Sequence, residues 1–168
     1  MPSTHITKRV RATPEQIFAM VADVEKYPVF INLISDLRIT KKISDTDFEA
    51  EAIVVYKMFR ETFRSHIHIN DDLKFIHVRK AEQGGALKTL ENKWYFHELS
   101  DGSTAVDFHI DVSLKLFPLN VLVREKMGRA SDLIMNAFER RAAQLCDIVG
   151  DETPSDQLMA ELSSVKFV

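Results

Sequence analysis

The feature that most constrains this chain is a change of hydrophobic period near residue 117. From about residue 35 to 116 apolar side chains recur at every second position, the signature of half-buried strands. Leu37, Ile39 and Ile43 alternate with Arg38, Thr40 and Lys42, and Phe48, Ala50, Ala52, Val54 and Tyr56 share one face. Phe59, Phe63, Ile67 and Ile69 oppose Arg60, Thr62, Arg64, His66 and His68, and Leu90, Trp94 and Phe96 follow in a later run. The clearest alternation comes last: Thr104, Val106, Phe108, Ile110, Val112, Leu114 and Leu116 against Ala105, Asp107, His109, Asp111, Ser113 and Lys115. It predicts an antiparallel strand with one polar face in water. Asp45-Thr46-Asp47, Asn70-Asp71-Asp72, Gln83-Gly84-Gly85 and Ser100-Asp101-Gly102-Ser103 punctuate the runs as turns.

After Phe117-Pro118 the period becomes helical. Val123, Met127, Ala130, Ile134, Phe138, Arg141, Leu145 and Ile148 recur at three- and four-residue steps, an inward stripe of about seven turns. Arg124, Glu125, Arg129, Asp132, Glu139 and Arg140 occupy the other face, and Gly150 suits a C-terminal cap. Upstream, residues 4–11 read as a strand. Thr13-Pro14-Glu15-Gln16 then starts a helix, with Thr13 as cap, Pro14 at the first helical position and Gln16 placed to close a capping box. That helix turns Ile17, Phe18 and Val21 inward and stops near Asp23; Pro28 separates it from a second short segment, residues 25–33.

The order is strand, short helices, six strands in hairpin succession, one long helix. It predicts an α+β architecture: a curved antiparallel sheet of about seven strands wrapped around a long C-terminal helix, with two short helices after the first strand. Residues 1–150 form this domain. Asp151-Glu152-Thr153-Pro154-Ser155-Asp156 is an acidic linker, and Leu158, Met159, Leu162 and Val165 in the tail to residue 168 have helical spacing. A docked helix and a frayed end both fit that tail. A bent sheet gripping one helix tends to enclose an elongated apolar cavity that its own side chains do not fill, and this leads from pattern to function.

Composition narrows the function classes. With 168 residues, 45% apolar and 28% charged, collagen-like, low-complexity and disordered chains are excluded. Twenty-two basic against 25 acidic side chains give a net charge of −3, without the footprint of a general nucleic-acid binder, so no DNA partner is expected. Cys146 is the single cysteine, which rules out an intrachain disulfide and a cysteine zinc site. No apolar run approaches the roughly 20 residues that span a bilayer, and the first residues show no signal core; a cytoplasmic protein is expected.

Five segments together carry a resemblance covering about residues 3–149. They are Val24-Glu25-Lys26-Tyr27-Pro28-Val29-Phe30, Phe59-Arg60-Glu61-Thr62-Phe63-Arg64-Ser65, Leu87-Lys88-Thr89-Leu90-Glu91-Asn92-Lys93-Trp94-Tyr95-Phe96, Val106-Asp107-Phe108-His109-Ile110-Asp111 and Ala137-Phe138-Glu139-Arg140-Arg141-Ala142. In this order they resemble the START-like, or helix-grip, superfamily. Within it the chain is similar to coenzyme Q-binding proteins and to bacterial relatives known as ribosome association toxins or polyketide cyclase/dehydrase-like proteins. Relatives follow the Tyr-Pro segment with an apolar residue and a proline, where this chain has Ile31, Asn32 and Leu33.

The resemblance implies a carrier or chaperone for ubiquinone that supports respiratory electron transport in a bacterium and catalyses nothing itself. Ubiquinone or another isoprenoid lipid is then the bound ligand, with no catalytic cofactor. The expected lining is Tyr27, Phe30, Leu33, Tyr56, Phe59, Glu61, Phe63, Trp94, Phe96, Phe108, Ile110, Leu114, Val123, Met127, Ala130 and Ile134. Each CH₂ removed from water contributes about 0.8 kcal/mol, so an isoprenoid tail requires a dry groove. Peripheral contact with the cytoplasmic face of the inner membrane would involve Phe30, Ile31, Phe117, Leu119 and Leu122, beside Val29 and Leu33. Simple packing of the strand-to-helix corner is the competing reading. The resemblance also implies two alternatives. One is a toxin-like protein that binds the large ribosomal subunit and blocks subunit association; the other is a polyketide aromatase/cyclase using Glu61 and Tyr56.

Three sets of polar residues have open readings. Glu61 sits between Phe59 and Phe63, where it faces a ligand, turns outward at a bulge, or pairs with Arg60 or Arg141. His66 and His68 share a face with Arg60, Thr62 and Arg64 and have no carboxylate at ligand spacing, so a solvated face is expected and no metal site. Lys41, Lys42, Lys57, Arg60 and Arg64 form either a basic patch, for lipid headgroups or ribosomal RNA, or an ordinary solvated surface. His77, His97 and His109 lack a Ser or Cys partner, which leaves nucleophilic catalysis without candidates.

Overall fold

A computed structural model describes residues 3–56, 59–81, 87–115 and 119–165; within these, the side chains of residues 56, 59, 119, 120, 122–124, 126 and 127 are not described. The elements are β1 (Ser3–Val10), α1 (Pro14–Ala22), a 3₁₀ turn (Val24–Lys26), α2 (Tyr27–Phe30), β2 (Ile34–Lys42), β3 (Asp47–Tyr56) and β4 (Phe59–Asn70). They continue with β5 (Phe75–Lys80), β6 (Leu87–Glu98), β7 (Thr104–Leu114), α3 (Leu119–Leu145) and α4 (Asp156–Ser164). The seven strands form one antiparallel sheet in the order β1-β7-β6-β5-β4-β3-β2. From β2 to β7 each strand pairs with the next in sequence, and β1 closes on β7. The expected architecture is the observed one.

Cross-strand register carries the alternation into a core. Phe108 lies opposite Ile6 on one side and Trp94 on the other, and Trp94 opposite Ile76. This row continues through Ile69 and Ile67 to Phe48. α3 covers it with Ser131, Met135, Phe138 and Ala142, all buried and spaced at one-turn steps.

α1 starts as its sequence dictates. Thr13 Oγ1 accepts a hydrogen bond from the Gln16 N–H at 3.3 Å, with Pro14 at the first helical position. The Gln16 side chain does not close a capping box. Its amide instead donates to Asp147 and accepts from the Asp147 N–H, which ties α1 to the end of α3.

Two expectations are corrected and an open one is settled. α3 ends at Leu145, and Leu145 and Ile148 are 58% and 64% exposed instead of continuing the inward stripe. The chain leaves the helix there to return to β1: the Val149 N–H donates to the Arg11 carbonyl, and Arg11 and Arg9 donate to the carbonyls of Gly150 and Asp151. Gly150, in the left-handed region at φ +81°, serves this turn and not the helix cap. Next, β7 does not have an open polar face. Ala105 and Asp107 are 0% exposed, because α4 covers the first and side chains of β1 enclose the second. Finally, the tail resolves as a docked helix. Ser155 caps α4 by accepting from the Leu158 N–H, and Leu158 buries against Leu99 and Ala105. Glu161 fixes its far side through the N–H and hydroxyl of Ser100. No helix among the described residues is long and apolar enough to cross a membrane.

Candidate functional site: the groove between sheet and helix

The concave face of the sheet and the underside of α3 meet along a seam, the groove, whose two parts differ. One part is solid. Trp94 stacks on Phe108 with ring centroids 4.2 Å apart, Phe138 meets the indole edge-on at 4.9 Å, and Phe18 meets Phe96 edge-on at 5.5 Å. Trp94, Phe96 and Phe108, expected to line a ligand, are therefore 2–6% exposed and form the closed end.

Beyond Trp94 the packing loosens. Leu90, Asn92, Ile110 and Val112 occupy the next inward positions of β6 and β7, with Val78, Phe63, Ala52 and Val54 on the strands beyond. All eight face the helix side of the sheet, and all keep partial access to solvent. Leu87 and Leu114, paired across β6 and β7, are buried again at 4% and 3% and bound this stretch on its far side. Because α3 starts just after β7 ends, its first half passes over this stretch. Ala130 and Ile134 are half-buried there. Ala52, Val78, Ile110 and Ile134 border the core without completing it.

Two buried polar atoms, one in this stretch and one on the face of α3 over the core, lack partners. Asn92 Oδ1 and Ser131 Oγ are buried with no hydrogen-bond partner, and Ser131 is only 1% exposed. An unpaired buried polar atom costs about 1–3 kcal/mol, and such atoms point to a missing partner. Neither was a sequence candidate. The signal was present: Asn92 interrupts the apolar row Leu90–Trp94, and Ser131 interrupts the helix stripe.

Glu61 keeps the inward register opposite Val54, with no bulge in the β3–β4 pairing, and is half-buried. The outward turn is not found, and among the described residues no ion pair joins Glu61 to Arg60 or Arg141. The Arg141 guanidinium lies over the Phe30 ring, 5.6 Å from its centroid, and its Nε is buried without a partner. Tyr27 packs edge-on against Phe30 and Phe138, and its hydroxyl donates to the Val21 carbonyl. Burial, reinforced by Asp23, pushes its phenol well above the ordinary value, so Tyr27 is a neutral structural donor. Leu33 is half-buried against the core.

The expected membrane lip is reduced. Ile31 is 3% exposed and offers no outer surface, whereas Val29 beside it is 66% exposed and Phe30 is half-buried. Phe117 lies outside the described residues, as do the side chains of Tyr56, Phe59, Leu119, Leu122, Val123 and Met127.

Of the basic residues expected to form a patch on the outer face, Lys57 lies outside the described residues, and Lys42 and Arg64 are paired with carboxylates. Glu51 takes Arg64 at 3.0 Å and Arg38 at 3.3 Å, and Lys42 reaches Asp45. His66 and His68 do have a carboxylate, against the sequence reading. Asp47, opposite His68 across the β3–β4 register, lies 2.9 Å from His66 Nε2 and 3.1 Å from His68 Nδ1. Hydrogen bonds from Thr46 and His66, with His68, hold its carboxyl well below the usual carboxylate range.

Known proteins match this arrangement. The profile of a family described as polyketide cyclase/dehydrase and lipid transport matches residues 10–139. The ribosome association toxin RatA of Vibrio cholerae serotype O1 is 23% identical over 136 residues, 81% of this chain and 92% of that one. Among solved structures, the Zhui aromatase/cyclase from Streptomyces sp. R1128 superposes with a TM-score of 0.75 at 15% identity, over 84% of this chain and 93% of that one. An 18 kDa protein from Caulobacter crescentus superposes with a TM-score of 0.71 at 30% identity, over 86% and 98% of the two chains.

Proposed function

We propose that this chain, which belongs to the polyketide cyclase/dehydrase and lipid transport family, carries ubiquinone or a similar isoprenoid lipid in the loosened stretch of its groove. The observation that supports this most is the row of inward apolar side chains left half-open there with Asn92 Oδ1 unpartnered among them, and Ser131 Oγ unpartnered on the inward face of α3. The apolar row of Ala52, Phe63, Val78 and Ile110 suits a flexible tail, at about 0.8 kcal/mol for each CH₂ taken from water. Ser131 suits the head: its hydroxyl donates to a quinone carbonyl, and Asn92 Oδ1 accepts from the hydroxyl of the reduced form. This function is binding without a catalysed reaction. The groove presents Glu61, Asn92 and Ser131 along an apolar wall, and among the described residues no nucleophile is held by a base.

Exchange with a bilayer requires contact but no spanning segment, and exposed Val29 with Phe30 at the groove margin supplies an apolar edge for it. The cytoplasmic face of a bacterial inner membrane is the place this reading assigns. The likeness to RatA over 81% of the chain favours one second reading, binding to the large ribosomal subunit.

Mass spectrometry of the lipid extract from protein purified out of a quinone-producing host tests the first reading, with ubiquinone in near-stoichiometric amount as the expected result. No quinone in the extract, together with no uptake of added quinone, overturns it. Sucrose-gradient sedimentation of a lysate tests the second reading; co-migration with the large subunit supports it, and absence from every ribosomal fraction removes it.

A further inference from the structure

On the opposite, convex face, β1 and β7 bring His5 beside Asp107 and His109, more than a hundred positions away in sequence. His5 lies directly opposite His109 in the register, and their rings stack with centroids 3.8 Å apart and planes 11° from parallel. Between them sits Asp107. His5 Nε2 is 2.5 Å from its Oδ1 and His109 Nε2 is 2.8 Å from its Oδ2, while Thr7 Oγ1 donates to Oδ1 at 2.5 Å. The Asp107 side chain is 0% exposed, against 53% for His5 and 44% for His109.

That burial is the informative part. A carboxylate removed from water is costly unless paired, and among the described residues no Lys or Arg forms an ion pair with Asp107; its partners are the two imidazoles and the Thr7 hydroxyl. Lys93, opposite His109 across β6 and β7, is engaged with Glu91. The ligating atoms of His5, Asp107 and His109 all lie within 4.8 Å of one another. A tetrahedral ion with bonds of about 2.0–2.2 Å to imidazole nitrogen and carboxylate oxygen needs its ligands roughly 3.4 Å apart. Small rotations of two half-exposed imidazoles reach that spacing. Two His and one carboxylate are also a donor set of borderline softness, suited to Zn²⁺, Co²⁺ or Ni²⁺ and not to Ca²⁺ or Mg²⁺.

We propose that His5, Asp107 and His109 form a binding site for a divalent transition-metal ion of the Zn²⁺ class. Thr7 orients the carboxylate from behind, as an outer partner of a metal ligand does. The remaining coordination position faces a cleft of 440 Å³ bordered by Glu91, Lys93, Tyr95 and Asp111. Asp111 Oδ1, buried there without a hydrogen-bond partner, is available to accept from a metal-bound water. Bound metal joins edge strand β1 to β7, so occupancy stabilises the fold by mass action. The three ligand residues lie on the face of the sheet opposite the groove.

The test uses the full chain, stripped of metal and titrated near neutral pH with Co²⁺ alone. Absorption in the visible reports coordination, and thermal unfolding is followed with and without Zn²⁺. One Co²⁺ per chain, displaced by Zn²⁺, with a raised Tm is expected. His5→Gln and His109→Gln, both at half-exposed positions that leave the core intact, each weaken binding about tenfold or more and remove the Tm rise. His66→Gln/His68→Gln, which disarms the Asp47 cluster, leaves binding unchanged. No saturable binding below millimolar Co²⁺ overturns the proposal, as does binding that survives loss of both His5 and His109 or that follows His66 and His68.

Discussion

Trp94 and Phe108 stack across β6 and β7 with ring centroids 4.2 Å apart and planes 27° from parallel, and α3 is seated on this pair by Phe138. Phe138→Ala removes the edge-on ring and leaves a cavity where helix meets sheet. A loss of about 3–5 kcal/mol is expected, the ordinary cost of truncating a buried phenylalanine. Urea unfolding followed by the fluorescence of Trp94, the single tryptophan, measures it. A loss under about 1 kcal/mol would place the anchor of α3 elsewhere.

Arg9 and Asp101 form the ion pair that holds the end of β1 to the β6–β7 turn. Their closest atoms are 2.6 Å apart, and each side chain is 10% exposed. Burial opposes ionisation of Asp101, but hydrogen bonds from Ser103, the Asp151 N–H and Arg9 outweigh it and hold the carboxyl well below the usual carboxylate range. A folded pKa below the unfolded one contributes stability that is complete above the ordinary aspartate value of about 3.9 and is lost as pH falls beneath it. Asp101→Asn is expected to flatten the acid limb of a stability–pH profile. It also costs about 3 kcal/mol near neutral pH by leaving Arg9 buried without its anion. An unchanged acid limb would mean that other carboxylates carry it.

Ser131→Ala separates a packing role from a ligand role. Its hydroxyl has no partner to lose, so unfolding free energy stays level or rises by up to about 1 kcal/mol. Affinity for a quinone falls about two- to tenfold, the worth of one neutral hydrogen bond, while affinity for a carbonyl-free isoprenoid hydrocarbon does not change. Equal losses for both ligands would deny Ser131 contact with the head group.

Leu158→Ala acts locally. Leu158 is the buried anchor of α4, packed on Leu99 and Ala105. Hydrogen exchange of the α4 amides is expected to rise toward that of a free segment, with little change in β6 and β7. Protection that persists in α4 would assign its docking to the Ser100–Glu161 contacts instead.

The groove was legible where one strand or one helix turn carried the signal. Period two ordered seven strands, and the shift to period 3.6 placed α3 over them, because each pattern reports which side chains leave water together. What a single segment could not reveal was the second layer. The outer face of β7 reads as polar, yet Ala105 and Asp107 are enclosed by α4 and β1, elements remote in sequence. For the same reason the cluster of His5, Asp107 and His109 is invisible until β1 pairs with β7. Arg141 shows another limit: a cation on an apolar stripe settles over the ring of Phe30, a contact fixed by tertiary geometry and not by spacing. Ile31 reads as lip and is core because the turn after α2 faces inward.

Titration of Trp94 fluorescence with ubiquinone tests the central claim most directly. The indole stands at the closed end of the groove, next to Asn92 and Ile110 across the loosened stretch, within quenching range of a bound quinone. The account predicts saturable quenching at one quinone per chain, abolished by Ala130→Phe, which fills the space beneath α3. Quenching that rises in proportion to quinone without saturating, and equally in both proteins, would contradict it.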